Sequence, residues 1–159
     1  MAAAGSGTVM LDQEDRLSRL IVENAQDAVI YSDREGLIHL WNIGAERIFG
    51  YTRSEALGRS LDLIIPESLR SRHWEGYRKV MAEGRSRYES DLLAVPALKK
   101  DGSRISVEFT LVPIQDETGR LEGIAAILRD VTKRWNRDKA LRQRLAELEA
   151  QCGVKSSGK

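Results

Sequence analysis

Residues 104–111 limit what this chain can fold into more than any other segment. Apolar side chains occupy every second position there and alternate with serine, glutamate and threonine; they are Ile105, Val107, Phe109 and Leu111. A period of two predicts a β-strand with one buried face and one face toward solvent. Because a lone strand is not stable in water, this one needs neighbouring strands and a covering layer. The chain is therefore expected to build a half-buried sheet.

Four other segments have the short, β-branched and apolar composition of strands, with glycine-containing turns close by. They are residues 27–33, 37–41, 88–98 and 124–128. Two strands therefore precede a helical region and three follow it. This order predicts an α+β fold, with a five-stranded antiparallel sheet that carries short helices and one longer helix on one face.

Short helical pieces are predicted between the second and third strands, over residues 42–58. Glycines are expected to interrupt them at Gly44, Gly50 and Gly58. Ser54 precedes an acidic residue and is predicted to cap a one-turn helix.

A longer helix is predicted from residue 67 to residue 82, after a proline and before a glycine. His73 follows Leu69 and precedes Tyr77 by one turn, so all three share the apolar stripe of this helix. An imidazole on that stripe is expected to face the sheet.

Amphipathic helices are predicted on both sides of the sheet-forming region. The first carries Leu17, Leu20 and Ile21 on one face, and the second has apolar residues spaced by four, three and four, at Leu141, Leu145, Leu148 and Cys152. We expect these helices and the outer face of the sheet to form a homodimer. The predicted organisation is a flexible start at 1–10, a flanking helix at 11–24, the domain at 25–132, a linker helix at 133–152 and a flexible tail at 153–159.

Composition excludes several classes of function. The 159 residues include 25 basic and 24 acidic side chains, so the strongly basic surface of a nucleic-acid or anionic-membrane partner is not expected. Neither a run of ~20 apolar residues nor a secretory signal is present, which favours a cytoplasmic protein. With one cysteine and two histidines, the chain has no nucleophile–base set, P-loop, dinucleotide fingerprint or metal-ligand cluster. We therefore expect no enzyme activity.

Several short strings, in this order and at these spacings, resemble the PAS family of bacterial sensor modules over residues 22–132. They are Trp41-Asn42 with Ala45, Phe49-Gly50-Tyr51-Thr52, Glu55-Ala56-Leu57-Gly58, Lys100-Asp101-Gly102-Ser103 and Arg129-Asp130-Val131-Thr132. The resemblance implies an intracellular sensory module with a pocket between the central helix and the inner face of the sheet. It also implies a relay through residues 130–132 to the C-terminal helix, and a histidine kinase or another output protein as partner.

Residues 70–77 are similar to the central helix of the haem-binding PAS domains of bacterial oxygen sensors. This similarity implies His73 as the axial ligand of a haem b iron. In the same comparison Lys79 and Arg87 stand where propionate-contacting groups are found. Tyr77, Ile64, Val107 and Leu111 complete the implied pocket lining.

Other ligands, or none, remain open. Asp91 and Leu93 stand where the oxygen sensors carry an arginine or a methionine, and Trp74 and Tyr88 are bulky enough to fill the pocket. The stretch 58–66 contains no cysteine, which excludes a light-driven flavin adduct but leaves a redox flavin open. The sequence therefore allows a sensor of an unidentified small ligand, a haem-based gas or redox sensor, and a ligand-free dimerisation module.

Overall fold

The computed structural model describes residues 6–83 and 94–156, and its elements follow the predicted order. The helices are α1 (Ser6–Asn24), α2 (Ile43–Phe49), α3 (Arg53–Ala56), α4 (Glu67–Glu83) and α5 (Thr132–Ser156), with a 3-10 turn at Leu61–Leu63. The strands are β1 (Ala28–Asp33), β2 (Ile38–Trp41), β3 (Val95–Leu98), β4 (Arg104–Gln115) and β5 (Leu121–Asp130).

The five strands form one antiparallel sheet in the order β2-β1-β5-β4-β3. The alternating segment lies in β4, where Ile105 and Val107 are buried while Arg104 and Thr110 are exposed. The predicted α+β fold is confirmed. Because β5 pairs with both β1 and β4, it connects the early and late parts of the chain in the middle of the sheet.

The core lies on the inner face of the sheet. Trp41 and Phe49 are almost fully buried there, with ring centroids 5.5 Å apart. Burying two large aromatic side chains supplies several kcal/mol, at about 25 cal/mol for each Å² of apolar surface. The buried members of this main core are Ala28, Ile30, Ile38, Trp41, Ala45, Phe49, Ala56, Ile64, Ala97, Ile105, Val107 and Leu128.

Gly44 does not interrupt α2, so the prediction of a break there is wrong. It is buried inside the helix, and a Cβ added to it would lie 2.2 Å from the carbonyl oxygen of Asp27. Glycine is therefore needed for close approach of two backbones rather than for a turn. Gly50 does end α2, with a φ of 81°.

Thr52 caps α3, and the prediction of Ser54 as the cap is wrong. The Thr52 hydroxyl accepts a hydrogen bond from the backbone N–H of Glu55, and the Glu55 carboxylate accepts one from the N–H of Thr52. This reciprocal pair is a capping box. Ser54 is the second residue of the helix it was expected to cap.

Both flanking helices are longer than predicted. α1 begins at Ser6, so residues 6–10 of the predicted flexible start are helical, and α5 extends from Thr132 to Ser156. Each additional residue adds one backbone hydrogen bond, and neither segment contains proline to stop the helix. None of the helices in the described ranges is long and apolar enough to cross a membrane.

Candidate functional site

Helix α4 is fastened at its first turns to the 3-10 segment. The Arg70 guanidinium donates to the carbonyl oxygens of Ile65 at 3.2 Å and Asp62 at 3.1 Å, and lies 3.7 Å from the Asp62 carboxylate. The Trp74 indole N–H donates to the same carboxylate at 2.8 Å. Asp62 therefore holds two side chains of α4, one turn apart.

Tyr77 connects the middle of α4 to the end of β1. Its hydroxyl lies 2.5 Å from the carbonyl oxygen of Asp33, 3.3 Å from that of Ser32 and 3.0 Å from the Ser32 hydroxyl. The side chains of Tyr77 and Ser32 are both buried. Burial raises the pKa of the Tyr77 hydroxyl, so it remains a protonated donor. We call this contact of Tyr77 with Ser32 and Asp33 the α4 latch.

Trp74 packs on the turn between β1 and β2. Gly36 has a φ of 78°, and a Cβ there would lie 2.2 Å from Cη2 of the Trp74 ring. Glycine is required at this position for two reasons, the left-handed backbone and the indole against it. The latch and this contact place α4 over the β1 side of the inner face.

His73 lies beside Tyr77 on the inward side of α4. Its imidazole lies 4.9 Å from the Trp74 ring and 5.9 Å from the Tyr77 ring, measured between centroids. Its Nδ1 atom is buried, and no residue in the described part of the chain hydrogen-bonds to it. Burial lowers the pKa of His73, and the nearby Asp62 carboxylate opposes this only in part. The ring is therefore neutral at neutral pH, which is the form that ligates a metal.

The structure places the apolar residues of the predicted pocket in two adjoining clusters. Ile64 and Val107 are buried in the main core, with Leu61 packed against it. Tyr77 forms a second cluster with Val80 and Ile124, against which Leu61, Trp74, Met81 and Leu111 pack. Leu61 therefore packs against both clusters, and the predicted residues lie on one side of the sheet.

Lys79 does not pack with the apolar residues of these two clusters. It is exposed and lies 3.8 Å from the Glu83 carboxylate, one turn further along α4. Arg87 lies outside the described residues, as do Tyr88, Asp91 and Leu93. Nothing in the structure therefore supports or opposes the expected roles of these four residues.

Sequence reasoning missed the partners that hold α4, namely Ser32, Gly36 and Asp62. Ser32 and Tyr77 are 45 residues apart, and their hydrogen bond has no local pattern. The positive φ of Gly36 was detectable as a turn signal, but the indole above it was not.

The junction between β5 and α5 is formed by a capping motif and a contact with β4. The Asp130 carboxylate accepts hydrogen bonds from the backbone N–H of Thr132 at 2.9 Å and from its hydroxyl. The Thr132 hydroxyl accepts one from the N–H of Ser106 at 2.9 Å, and the carbonyl oxygen of Ser106 in turn accepts one from the N–H of Val131. The first turn of α5 is thereby bound to the sheet.

A family model described as the PAS fold matches residues 16–131, which is more than half of the chain. The chain belongs to the PAS family. It is thus a PAS sensory and signal-transduction module, and the resemblance predicted from the short strings is confirmed.

Two curated relatives illustrate the setting of such PAS domains. The chain is 31% identical over 121 residues to the oxygen sensor protein DosP of Escherichia coli, with 76% of this chain and 15% of DosP covered. It is 33% identical over 141 residues to the signal transduction histidine-protein kinase AtoS of the same organism, with 87% of this chain and 22% of AtoS covered. The chain therefore spans less than a quarter of the length of either relative.

A solved structure supports the fold. The PAS domain of a protein from Colwellia psychrerythraea superposes with a TM-score of 0.65 at 24% sequence identity, and the match covers 78% of this chain and 98% of that domain. Since the identity is low, this likeness concerns the arrangement of helices and strands.

Proposed function

We propose that this PAS domain is a sensory input module that binds a small molecule or cofactor between α4 and the inner face of the sheet. The Nδ1 atom of His73, which is buried and has no hydrogen-bond partner among the residues that the structure describes, is the observation that carries the proposal. A buried polar atom without a partner costs about 1–3 kcal/mol, so its presence in an aromatic interface fits a ligand that satisfies it. The module works by changing shape rather than by catalysis.

The proposed signal passes from α4 to the central strands. The latch joins Tyr77 to the end of β1, and Ser32 of β1 is the cross-strand partner of Ile124 in β5. β5 then leads directly into the capping motif at the start of α5. A ligand that moves α4 would therefore change the position of β5, the strand that leads into α5. The similarity to AtoS supports a histidine kinase, or another output protein, as the receiving partner.

We also propose that the chain acts as a homodimer. α1 and α5 both present exposed apolar side chains, since Ile21 and Leu141 are each 62% exposed and Leu145 is 58% exposed. On the outer face of the sheet, Val112 and Ile127 are about two-fifths exposed. Burying these surfaces against a second copy would remove them from water.

Light scattering at tens of micromolar tests the dimer. The expected result is twice the mass of the chain for the natural protein and the mass of one chain for Leu141→Lys with Leu145→Lys. Arg142→Lys, at an exposed polar position of the same helix, is the matched control. A natural protein with the mass of one chain would contradict the dimer.

Haem is the specific cofactor that two observations favour. Imidazole is a common axial ligand of haem iron. The buried Nδ1 atom of His73 has no hydrogen-bond partner in the described part of the chain, and the chain is similar to an oxygen sensor. The donor chemistry fits, because burial keeps the His73 imidazole neutral, and His73 would be the protein ligand. When bound, haem supplies an iron that changes its ligation or oxidation state.

The apolar residues predicted for the pocket would contact such a group from the sheet side. Ile64, Val107 and Leu111 offer aliphatic surface, and Tyr77 offers an aromatic ring. Trp74 and Tyr77 now pack beside His73. Entry of a planar molecule would therefore require α4 to move away from β1. This movement would break the α4 latch, so that binding of the molecule changes the conformation of the domain.

Absorption spectra during titration with haemin test this assignment. Natural protein should develop a Soret band that His73→Ala loses. His39→Ala is the matched control, because His39 is the other histidine of the chain and is exposed, with its ring bonded to the Asp33 carboxylate. A band of equal intensity in all three proteins, or in none, would overturn His73 as a haem ligand.

Native mass spectrometry of the purified chain tests the broader proposal, with haemin and flavin mononucleotide as added probes. A retained small molecule, or stoichiometric binding of either probe with slower amide exchange at residues 131–136, is expected. A chain that carries nothing and binds neither probe would contradict ligand sensing and support a ligand-free interaction module.

A further inference from the structure

Charged side chains of alternating sign cross one end of the sheet. Asp27, at the start of this row, precedes β1, and Arg129 lies near the end of β5. The Arg129 guanidinium donates two hydrogen bonds to the Asp27 carboxylate, Nε to Oδ1 at 3.0 Å and Nη2 to Oδ2 at 2.6 Å. Such a two-pronged contact fixes the relative orientation of both side chains.

The row continues through β4 to α5. Glu108 is the direct cross-strand partner of Arg129, so the two side chains project from the same face of the sheet. The Glu108 carboxylate accepts a hydrogen bond from Nη2 of Arg134, in the first turn of α5. The acid, base, acid and base of this row, named here the charge row, are Asp27, Arg129, Glu108 and Arg134.

The first member of the charge row is bound tightly to the end of α1. The Asn42 side chain is buried, and its Nδ2 donates to the carbonyl oxygens of Val22 at 2.9 Å, Ala25 at 3.3 Å and Asp27 at 3.0 Å. Gly44 packs directly against the Asp27 carbonyl. The last turn of α1 and Asp27 are therefore hydrogen-bonded to the residue that caps α2.

Exposure decides how these charges interact. An isolated surface ion pair contributes little, because water and salt screen it. Arg129 has 69% of its side chain exposed, but Glu108 has only 16%, so the side chain between the two arginines has little access to water. The Arg129 hydrogen bond lowers the pKa of Asp27, and Asp27 and Glu108 together raise the pKa of Arg129. The row is thus joined by hydrogen bonds at both ends, and in its middle by electrostatic attraction between the cross-strand neighbours Arg129 and Glu108.

We propose that the charge row couples the end of α1 to the first turn of α5 across the outer face of the sheet. A displacement of either flanking helix is then passed to the other without any change in the pocket beneath α4. This coupling is a second input to the output helix, and it does not depend on whether a ligand binds.

A double-mutant cycle between the two ends of the row tests the proposal. Asp27 and Arg134 bond to different partners, so Asp27→Asn and Arg134→Gln should act independently unless Arg129 and Glu108 connect them. We expect their effects on the unfolding equilibrium constant in urea to depart from additivity by about threefold or more. In an Arg129→Gln background, or in 1 M NaCl, the departure should vanish.

Lys100→Gln is the matched control for this cycle. Lys100 forms an exposed ion pair with Glu55, at 2.5 Å, away from the charge row. The effects of Lys100→Gln and Asp27→Asn on the unfolding equilibrium constant should be additive. Additive effects of Asp27→Asn and Arg134→Gln, or a coupling that persists without Arg129, would overturn the proposal.

Hydrogen exchange measures the transmission itself. The backbone N–H of Trp135 bonds to the carbonyl of Val131 in the first turn of α5. Asp27→Asn, far from this bond along the chain, should raise the exchange rate of peptides over 131–137 severalfold, and Glu55→Gln should leave it unchanged. An effect of Asp27→Asn confined to residues 20–30 would show that the end of α1 is merely anchored, and would contradict the coupling.

Discussion

The Tyr77 hydroxyl lies 2.5 Å from the carbonyl oxygen of Asp33, which joins the middle of α4 to the last residue of β1. The turn that follows β1 accepts the Trp74 ring at Gly36. Because β1 pairs with β5, and β5 leads into α5, this contact connects the helix over the candidate pocket with the helix that would carry the signal.

Tyr77→Phe should lower the free energy of unfolding by about 1–2 kcal/mol, because buried acceptors at Ser32 and Asp33 lose a donor while the ring is kept. Urea denaturation followed by tryptophan fluorescence measures the loss. Tyr51→Phe is the control, because the contacts described for Tyr51 use its ring and its carbonyl group. Equal losses in the two variants would show that the α4 latch does not stabilise the fold.

Gly36→Ala should destabilise the fold more than Gly102→Ala. Both glycines have a φ near 80°, so an alanine at either position incurs a left-handed strain of about 1–2 kcal/mol. At Gly102 the space around a Cβ is open, whereas at Gly36 it would overlap the Trp74 ring. We expect a difference of about 1–3 kcal/mol between the variants in thermal or urea unfolding. Equal losses of stability in the two variants would mean that the Trp74 ring moves away from position 36 at no cost.

Stability should fall as the pH is lowered from 7.5 to 5.5, in part because of His73. Its pKa in the folded chain is below the unfolded value of 6.5, so in this range the unfolded chain takes up a proton that the folded chain does not. The free energy of unfolding should drop by at most about 1.4 kcal/mol per pH unit from this group. His73→Leu should reduce this slope and remain as stable as the natural chain at pH 7.5. If the pH dependence of stability were the same in His73→Leu and in the natural chain, His73 would not be one of its causes.

Asn42→Asp should be severely destabilising although the two side chains have the same shape. The oxygen of Asn42 accepts hydrogen bonds from Val29 and Ala45, while its NH₂ group donates to three carbonyl oxygens. A carboxylate would face those carbonyls, at a cost of about 3 kcal/mol or more.

The pH dependence of that variant should have the opposite sign to that of His73. Protonation of the introduced carboxyl group restores one donor, so folding would raise the pKa of that group. The variant should then gain stability relative to the natural chain between pH 7 and pH 5, because its folded state takes up a proton before its unfolded state does. Thermal unfolding of both proteins, followed by circular dichroism, measures this difference. A difference in stability that stays constant from pH 7 to pH 5 would contradict the donor role of Asn42.

Local patterns predicted most of the sheet and much of the helix content. The alternation of Ile105, Val107, Phe109 and Leu111 predicted β4, because side chains of a strand project to opposite faces at every step. The Thr52–Glu55 capping box is also a local pattern, since both members lie within four residues, although the sequence analysis predicts Ser54 as the cap. Gly44 could not be assigned locally, because the backbone it approaches belongs to another part of the chain.

The positions of the candidate site residues could be predicted only in part from the sequence. His73 and Tyr77 face inward as the helical stripe required, whereas Lys79 is paired with Glu83 on the exposed side of α4. Ile64 and Val107 belong to the main core, and Tyr77 and Leu111 to the adjoining cluster. The packing of α4 on the sheet decides which cluster an apolar residue belongs to. The period of a strand or helix does not specify how α4 packs on the sheet.

The sequence by itself determined the α+β fold, the order of its elements and the neutral balance of charge, because periodicity, turn residues and composition act over a few residues at a time. Only the tertiary structure decided that Tyr77 bonds to Asp33 and that Asp27 pairs with Arg129, 102 residues away. Such contacts depend on the register and packing of whole elements. The physical connection from α1 and α4 to α5 therefore emerges only once the sheet has brought distant segments together.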